Sequence, residues 1–273
     1  MQKNVASTDA ARKAGGDSLP DAVPFGSQIT LWLRERWDIV AIACLALAPL
    51  FIPALGGALG GQVTTLFIYC ILALGLNVMV GYTGLVHLGI AAFFGIGAYV
   101  MAILTVPMYP FQIGFLAAAI LSTLVTAGVG LALGAPTLRL RGDYLAIVTL
   151  GFGEVVKVTL RNLEQITGGM KGLNPVPPPG AGVQIGGIDL GLAFAIDPRW
   201  FYYLSLGVLI GVVIAMRRLE NSRLGRAWVA VRENELAASA MGISATRVKL
   251  SAFAMSSAVA GLAGCLYAAS LDQ

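Results

Sequence analysis

Seven apolar runs stand out along this chain: Asp38–Gly56, Val63–Gly81, His87–Leu104, Phe111–Gly134, Asp143–Leu160, Trp200–Met216 and Val248–Ala268. Each comes close to or exceeds the ~20 mostly apolar residues with which an α-helix crosses the hydrocarbon of a bilayer. Glycine, proline or charged residues break the chain between them. The pattern predicts an all-α, polytopic membrane protein of about seven transmembrane helices, with residues 38–268 forming the membrane domain. Residues 1–24 mix charges with Ala, Gly and Ser, and no apolar stretch of signal-peptide type follows at the expected distance, so 1–24 reads as a disordered tail. Leu31, Trp32, Leu33 and Trp37 beside Arg34 and Arg36 suit an interfacial approach to the first span, which completes the segment 1–37. Residues 269–273 form the C-terminal end.

The basic residues test this picture independently. Alternate crossings from a cytoplasmic N-terminus place fourteen of the 18 Lys and Arg on one side: five in 1–37, Arg139 and Arg141, six in 217–247, and Lys249. Only Arg161, Lys171 and Arg199 fall opposite, and Lys157 lies within a span. Positive residues collect on the cytoplasmic side of membrane proteins, so the N-terminus is expected inside. The same distribution argues against nucleic acid as the partner of the +4 net charge, because the charge follows membrane sidedness and no stacking-aromatic module accompanies it.

Composition agrees: 57% of residues are hydrophobic and 12% charged, where soluble chains carry roughly a quarter charged. The 34 glycines suit helices whose backbones approach closely. The rows Ala91/Gly95, Ser257/Gly261 and Ala260/Gly264 are spaced for such crossings. Cys44, Cys70 and Cys265 sit in apolar runs without a C-x-x-C pair, so neither zinc nor a redox dithiol is expected. No His/Cys ligand set for a metal, G-x-S-x-G nucleophile or phosphate-binding G-x-x-x-x-G-K-[ST] loop is present. An enzyme is therefore not the expectation.

Two connections are long. Residues 161–199 face outside and hold Pro175, Pro177, Pro178 and Pro179 in a glycine-rich stretch, with Gly168, Gly169, Lys171 and Gly172 at its start. Residues 217–247 face the cytoplasm and read as helical. Asn234 can cap a short helix with Glu235 in its first turn, and Gly242 suits a left-handed end. Ala237, Ala238, Ser239 and Ala240 give that helix a nearly bare surface, suited to docking in a partner's groove. A solvated loop, or a patch on anionic lipid, accounts for the same residues.

Individual residues carry competing readings. Glu154 and Lys157 stand at i and i+3 in the fifth span, where charge is costly and usually faces a cavity or partner. They either line a substrate path or form a structural ion pair with Lys157 reaching to the interface. Asn77, Tyr82, Thr83 and Gly84 surround a glycine-rich junction, which is either unwound backbone lining a cavity or a tight turn at the cytoplasmic surface. His87, the only histidine, either titrates in the path or is a satisfied polar group at a helix start.

Four stretches then fit one family. Ser222-Arg-x-Gly-Arg-Ala through Ala230-x-Arg232-Glu-x-Glu235-x-Ala237-Ala238 to Gly242 resembles the coupling motif of ABC importer permeases. Leu76-Asn77 through Gly81-Tyr82-Thr-Gly84 to Gly97-Ala98-Tyr99 is similar to branched-chain amino acid importers. Gly142-Asp143-Tyr144 through Thr149 to Glu154, and Thr167-Gly168-Gly169-x-x-Gly172-Leu173, resemble the LivM-type subunit rather than its LivH-type partner. The family pattern has Ser and a polar residue where this chain has His87 and Ile90, and family members continue beyond the equivalent of Gln273 with further helices.

The resemblance implies a permease subunit in the bacterial inner membrane, moving branched-chain or other hydrophobic amino acids. It implies a second, LivH-type permease, two cytoplasmic ATPases that hold ATP and Mg²⁺, and a periplasmic binding protein; this chain itself would hold no cofactor. Arg226, Arg232, Glu235, Ala237, Ala238 and Gly242 would couple to the ATPases. Asn77, Tyr82, Thr83, Gly84, Glu154 and Lys157 would belong to the substrate path, and Gly168, Gly169, Lys171 and Gly172 to the binding-protein face. Related subunits carry urea, and a secondary transporter driven by an ion gradient is the alternative outside the family.

Overall fold

Helix after helix follows the apolar runs. A computed structural model of the chain describes residues 58–110, 113–137, 143–173, 177, 179, 184, 185, 188, 189 and 198–271. The expected span Asp38–Gly56, the segment 1–37, Arg139, Arg141 and most of the 161–199 connection lie outside the described residues. The elements are α1 (Ala58–Asn77), continued by a π-turn over Val78–Tyr82, then α2 (Ile90–Thr105), α3 (Phe115–Thr137) and α4 (Asp143–Asn162). A single turn, α5 (Glu164–Thr167), and a 3₁₀ turn (Gly169–Lys171) lead into a two-residue antiparallel pairing of β1 (Gln184–Ile185) with β2 (Ile188–Asp189). The last four helices are α6 (Pro198–Glu220), α7 (Arg223–Glu233), α8 (Glu235–Ala240) and α9 (Ala245–Ser270).

Among the described residues four segments are long and apolar enough to cross a membrane: Gly61–Tyr82, Phe115–Thr137, Arg199–Glu220 and Ala245–Ser270. They coincide with four of the seven expected spans. The expected span Asp143–Leu160 also forms a helix, α4, but Glu154, Lys157 and Arg161 interrupt its apolar character. The span expected at His87–Leu104 is corrected at its start. Its helix begins at Ile90 and has 16 residues, about 24 Å against a hydrocarbon thickness of about 30 Å.

α9 is the central helix. Of its most apolar stretch 72% is buried, against 28–39% for the other three spans. It packs on α1, α2 and α3, and small residues make that possible. A side chain at Gly97 of α2 would strike the Gly261 backbone of α9, and one at Gly264 would strike the Phe94 carbonyl. Close backbone approach of this kind is how helices associate where lipid removes the usual hydrophobic drive. Ser122 of α3 donates to the Gly97 carbonyl at 2.8 Å, joining the third helix of the cluster. The expected small-residue rows at 257/261 and 260/264 thus lie in crossings, whereas Ala91 and Gly95 face a groove. α6 packs on α1, with Phe67 and Tyr202 edge to face at 5.2 Å.

Candidate functional site

The 217–247 connection folds as two capped helices. Ser222 accepts from the backbone N–H of Leu224 and Gly225, starting α7. Asn234 ends α7 and caps α8, its Oδ1 accepting from Leu236 at 3.1 Å and Ala237 at 3.0 Å. Gly242 follows in the left-handed region at φ 83°. These are the cap and stop legible in the sequence.

Within this frame the coupling candidates divide. Ala237 and Arg226 face solvent, and Arg226 donates to the Asn221 carbonyl at 2.9 Å. Glu235 bonds Lys249 of α9 at 2.7 Å. Ala238 is buried, so the bare surface expected over Ala237–Ala240 has one member turned inward. Two residues that sequence reasoning passed over are the most exposed apolar side chains here: Leu236 at 81% and Met241 at 84%. Large apolar residues among the small and polar ones of 234–242 were the available signal. Left bare on a capped helix, they form a surface suited to docking.

Asn77, Tyr82, Thr83 and Gly84 gather at the same end of the bundle. The Asn77 amide lies over Gly81, leaving no room for a side chain there. Tyr82 stacks on Trp228 of α7 with ring centroids 6.2 Å apart, and its hydroxyl donates to Glu220 at 3.3 Å. Thr83 donates to the Met79 carbonyl at 2.6 Å, and Gly84 turns the chain at φ 67°. Arg232 donates to the Gly81 carbonyl at 2.6 Å. The structure therefore sets Tyr82 and Gly84 against the 217–247 helices, while Asn77 and Thr83 bond or pack within their own segment.

From Gly84 the chain runs without helix to Gly89. This linker is not a turn at the bundle's surface. The His87 ring lies 5.4 Å from that of Phe253, eight residues beyond the start of α9 and so about 12 Å along its axis. The Leu88 N–H donates to Thr149 of α4 at 3.2 Å. Irregular backbone at such depth is tolerated where protein or a cavity surrounds it. His87 is 2% exposed between Phe93 and Phe253, and neither ring nitrogen has a hydrogen-bond partner among the described residues. Among the described residues it thus lacks the polar partner that a histidine at a helix start suggests.

Leu88, on the other side of the linker, opens onto a groove of about 430 Å³ between α2 and α4. Ala91, Gly95, Tyr99, Leu150 and Gly153 give it apolar walls, and Glu154 and Lys157 supply charge. Lys157 Nζ lies 3.0 Å and 3.2 Å from the two Glu154 oxygens. Both side chains remain more than half exposed, so the pair faces the groove rather than neighbouring helices. A largely apolar cleft with a few fixed polar groups is the usual form of a small-molecule site.

Gly169, Lys171 and Gly172 border a second cavity of about 390 Å³, toward the far end from α7 and α8, with Tyr267 and Leu173. Gly95 and Tyr99 line both cavities, which makes them neighbours along α2. Gly168, Gly169 and Gly172 all have positive φ. Tyr109 pins this turn region by donating to the Ile166 carbonyl at 2.6 Å.

Comparison with known proteins adds the relationship. Residues 58–273 match the family model described as branched-chain amino acid transport system / permease component. The chain is 40% identical over 251 residues to the Salmonella typhimurium protein named high-affinity branched-chain amino acid transport system permease protein LivM, covering 87% of this chain and 58% of that one. The Escherichia coli protein of the same name is 41% identical over 252 residues, with the same coverage. A Methanocaldococcus jannaschii protein, named a probable branched-chain amino acid transport permease protein LivM, is 29% identical over 152 residues, 54% of this chain and 41% of its own length. The chain thus spans 58% of the length of the first two curated relatives and 41% of the third. No solved structure matches.

Proposed function

Since the chain belongs to the branched-chain amino acid transport system permease family, we propose that it is a membrane-spanning subunit of an ATP-driven importer for branched-chain or other hydrophobic amino acids. It works in a bacterial inner membrane with its N-terminus and the 217–247 helices in the cytoplasm. It performs no reaction itself. Cytoplasmic ATPases hold the ATP and Mg²⁺, a second homologous permease of the LivH type completes the path, and a periplasmic binding protein delivers substrate near Gly168, Gly169, Lys171 and Gly172.

The observation that carries this reading is α8. A six-residue helix held by its own cap presents Leu236 and Met241 uncovered beside Ala237. The excess of Arg and Lys in 217–247 supports the cytoplasmic side for it. For substrate, the α2–α4 groove offers apolar walls for a hydrophobic side chain. Its Glu154–Lys157 pair offers one charge of each sign to the amino and carboxyl groups of an amino acid.

The test is ATP turnover by the reconstituted complex, screened against hydrophobic amino acids and urea. Stimulation by leucine, isoleucine or valine is expected; stimulation by urea alone would move the substrate, and uptake without any ATPase would indicate an ion-driven transporter. In the same complex, Leu236→Glu with Met241→Glu buries charge at the proposed contact, so co-purification of the ATPases is expected to fall at least about tenfold. Undiminished association would end the coupling assignment.

A further inference from the structure

The break at 78–89 joins the two places where function has been placed, and its contacts are unequal along its length. α1 does not stop at Asn77 but widens into the π-turn Val78–Tyr82, a rare winding that recurs at functional sites. Near its end the Gly81 carbonyl meets no helical N–H, the Leu85 N–H going to Met79 instead. Arg232 Nη1 takes the Gly81 oxygen at 2.6 Å. The aliphatic stem of Arg232 lies over Gly84, so close that an added Cβ there would sit 3.0 Å from Arg232 Cγ.

α7 itself is fixed at several points. Trp228 donates to the Val248 carbonyl at 3.1 Å and to Ser251 Oγ at 3.0 Å, at the start of α9. Asn234 is at once the end of α7 and the cap of α8, which puts Arg232 two residues from the joint between the two helices. At its other end the linker is anchored by the Leu88 N–H on Thr149, one turn before Gly153 and Glu154 of the groove. Leu88 is 53% exposed there.

We propose that Arg232 is a positioning residue for transport. Through the Gly81 carbonyl it makes the 81–89 linker follow α7 and α8, so that movement of α8 resets the Leu88 wall of the groove. The proposal rests on the reading of α8 as the ATPase contact, and it places the work of Arg232 inside the permease rather than against the partner. Holding a linker between two anchored ends requires a directional donor at one of them. A hydrogen bond from a charged group contributes enough to bias two arrangements about tenfold.

The experiment uses the full complex in proteoliposomes, with Arg232→Met, which keeps the stem over Gly84 and removes the donors, and Arg232→Lys, which restores a donor. Leu88→Cys, in a chain whose Cys44, Cys70 and Cys265 are replaced by alanine, reports the groove wall through its labelling rate without nucleotide and with vanadate-trapped ADP. The wild type is expected to show a nucleotide-dependent change in labelling. Arg232→Met is expected to keep ATPase association and thermal stability, abolish that change, and lower uptake per ATP about tenfold; Arg232→Lys is expected to recover part of both. Unchanged coupling and labelling in Arg232→Met would overturn the proposal. So would parallel losses of stability, association and turnover, which mark a folding contact only. Failure of the wild-type chain to bind the ATPases would instead remove the docking reading beneath it.

Discussion

His87 shows how much one residue can hold against its own preference. Its imidazole is enclosed by Phe93 and Phe253, and neither nitrogen is bonded among the described residues; an unsatisfied buried polar group costs about 1–3 kcal/mol. His87→Met, similar in size and without the orphaned nitrogens, is expected to raise stability by about that amount, read as a higher unfolding temperature in detergent. An unchanged or lower temperature would mean that the ring is satisfied in the folded protein. Uptake by the same variant separates packing from a role in transport. The sequence made His87 conspicuous as the sole histidine, but gave no means of seeing two aromatic rings arrive from residues 6 and 166 positions away.

At the scale of elements, legibility depended on whether the signal was local. The cap at Asn234 and the stop at Gly242 could be read because capping is a contact between near neighbours. Asn234→Ala is expected to destabilise α8 by about 1 kcal/mol, measured as faster amide exchange over 235–240 with little change in α9. Equal exchange in both forms would show that tertiary packing, not the cap, holds the helix. The break before α2 was only half legible. Gly81 and Gly84 announced a junction, while the delayed helix start at Ile90 depends on Thr149 and Phe253, which the chain supplies much later. For the same reason Tyr82 and Gly84 shared a sequence neighbourhood with a cavity hypothesis, yet fold against Trp228, Glu220 and Arg232. Inward-facing Ala238 and outward-facing Leu236 follow from the direction in which α8 leaves Asn234, which composition does not encode.

Among the described residues the helices are organised around α9, with small residues bringing α2 and α3 onto it. The apolar runs made the membrane-spanning helices readable from the sequence, because hydrocarbon demands length and composition that little else demands. The groove was less readable, since Leu88, Ala91 and Gly95 meet Glu154 and Lys157 only when α2 and α4 pack. In the proposed importer, one end of this bundle, carrying Leu236 and Met241, faces the cytoplasm and receives the ATPases. The direct measurement is labelling of Met241→Cys, with Cys44, Cys70 and Cys265 replaced by alanine, by a membrane-impermeant thiol reagent in vesicles of both orientations. Labelling is expected only in inside-out vesicles, and only until the ATPases are added back. Labelling in right-side-out vesicles, or none prevented by the ATPases, would contradict the account.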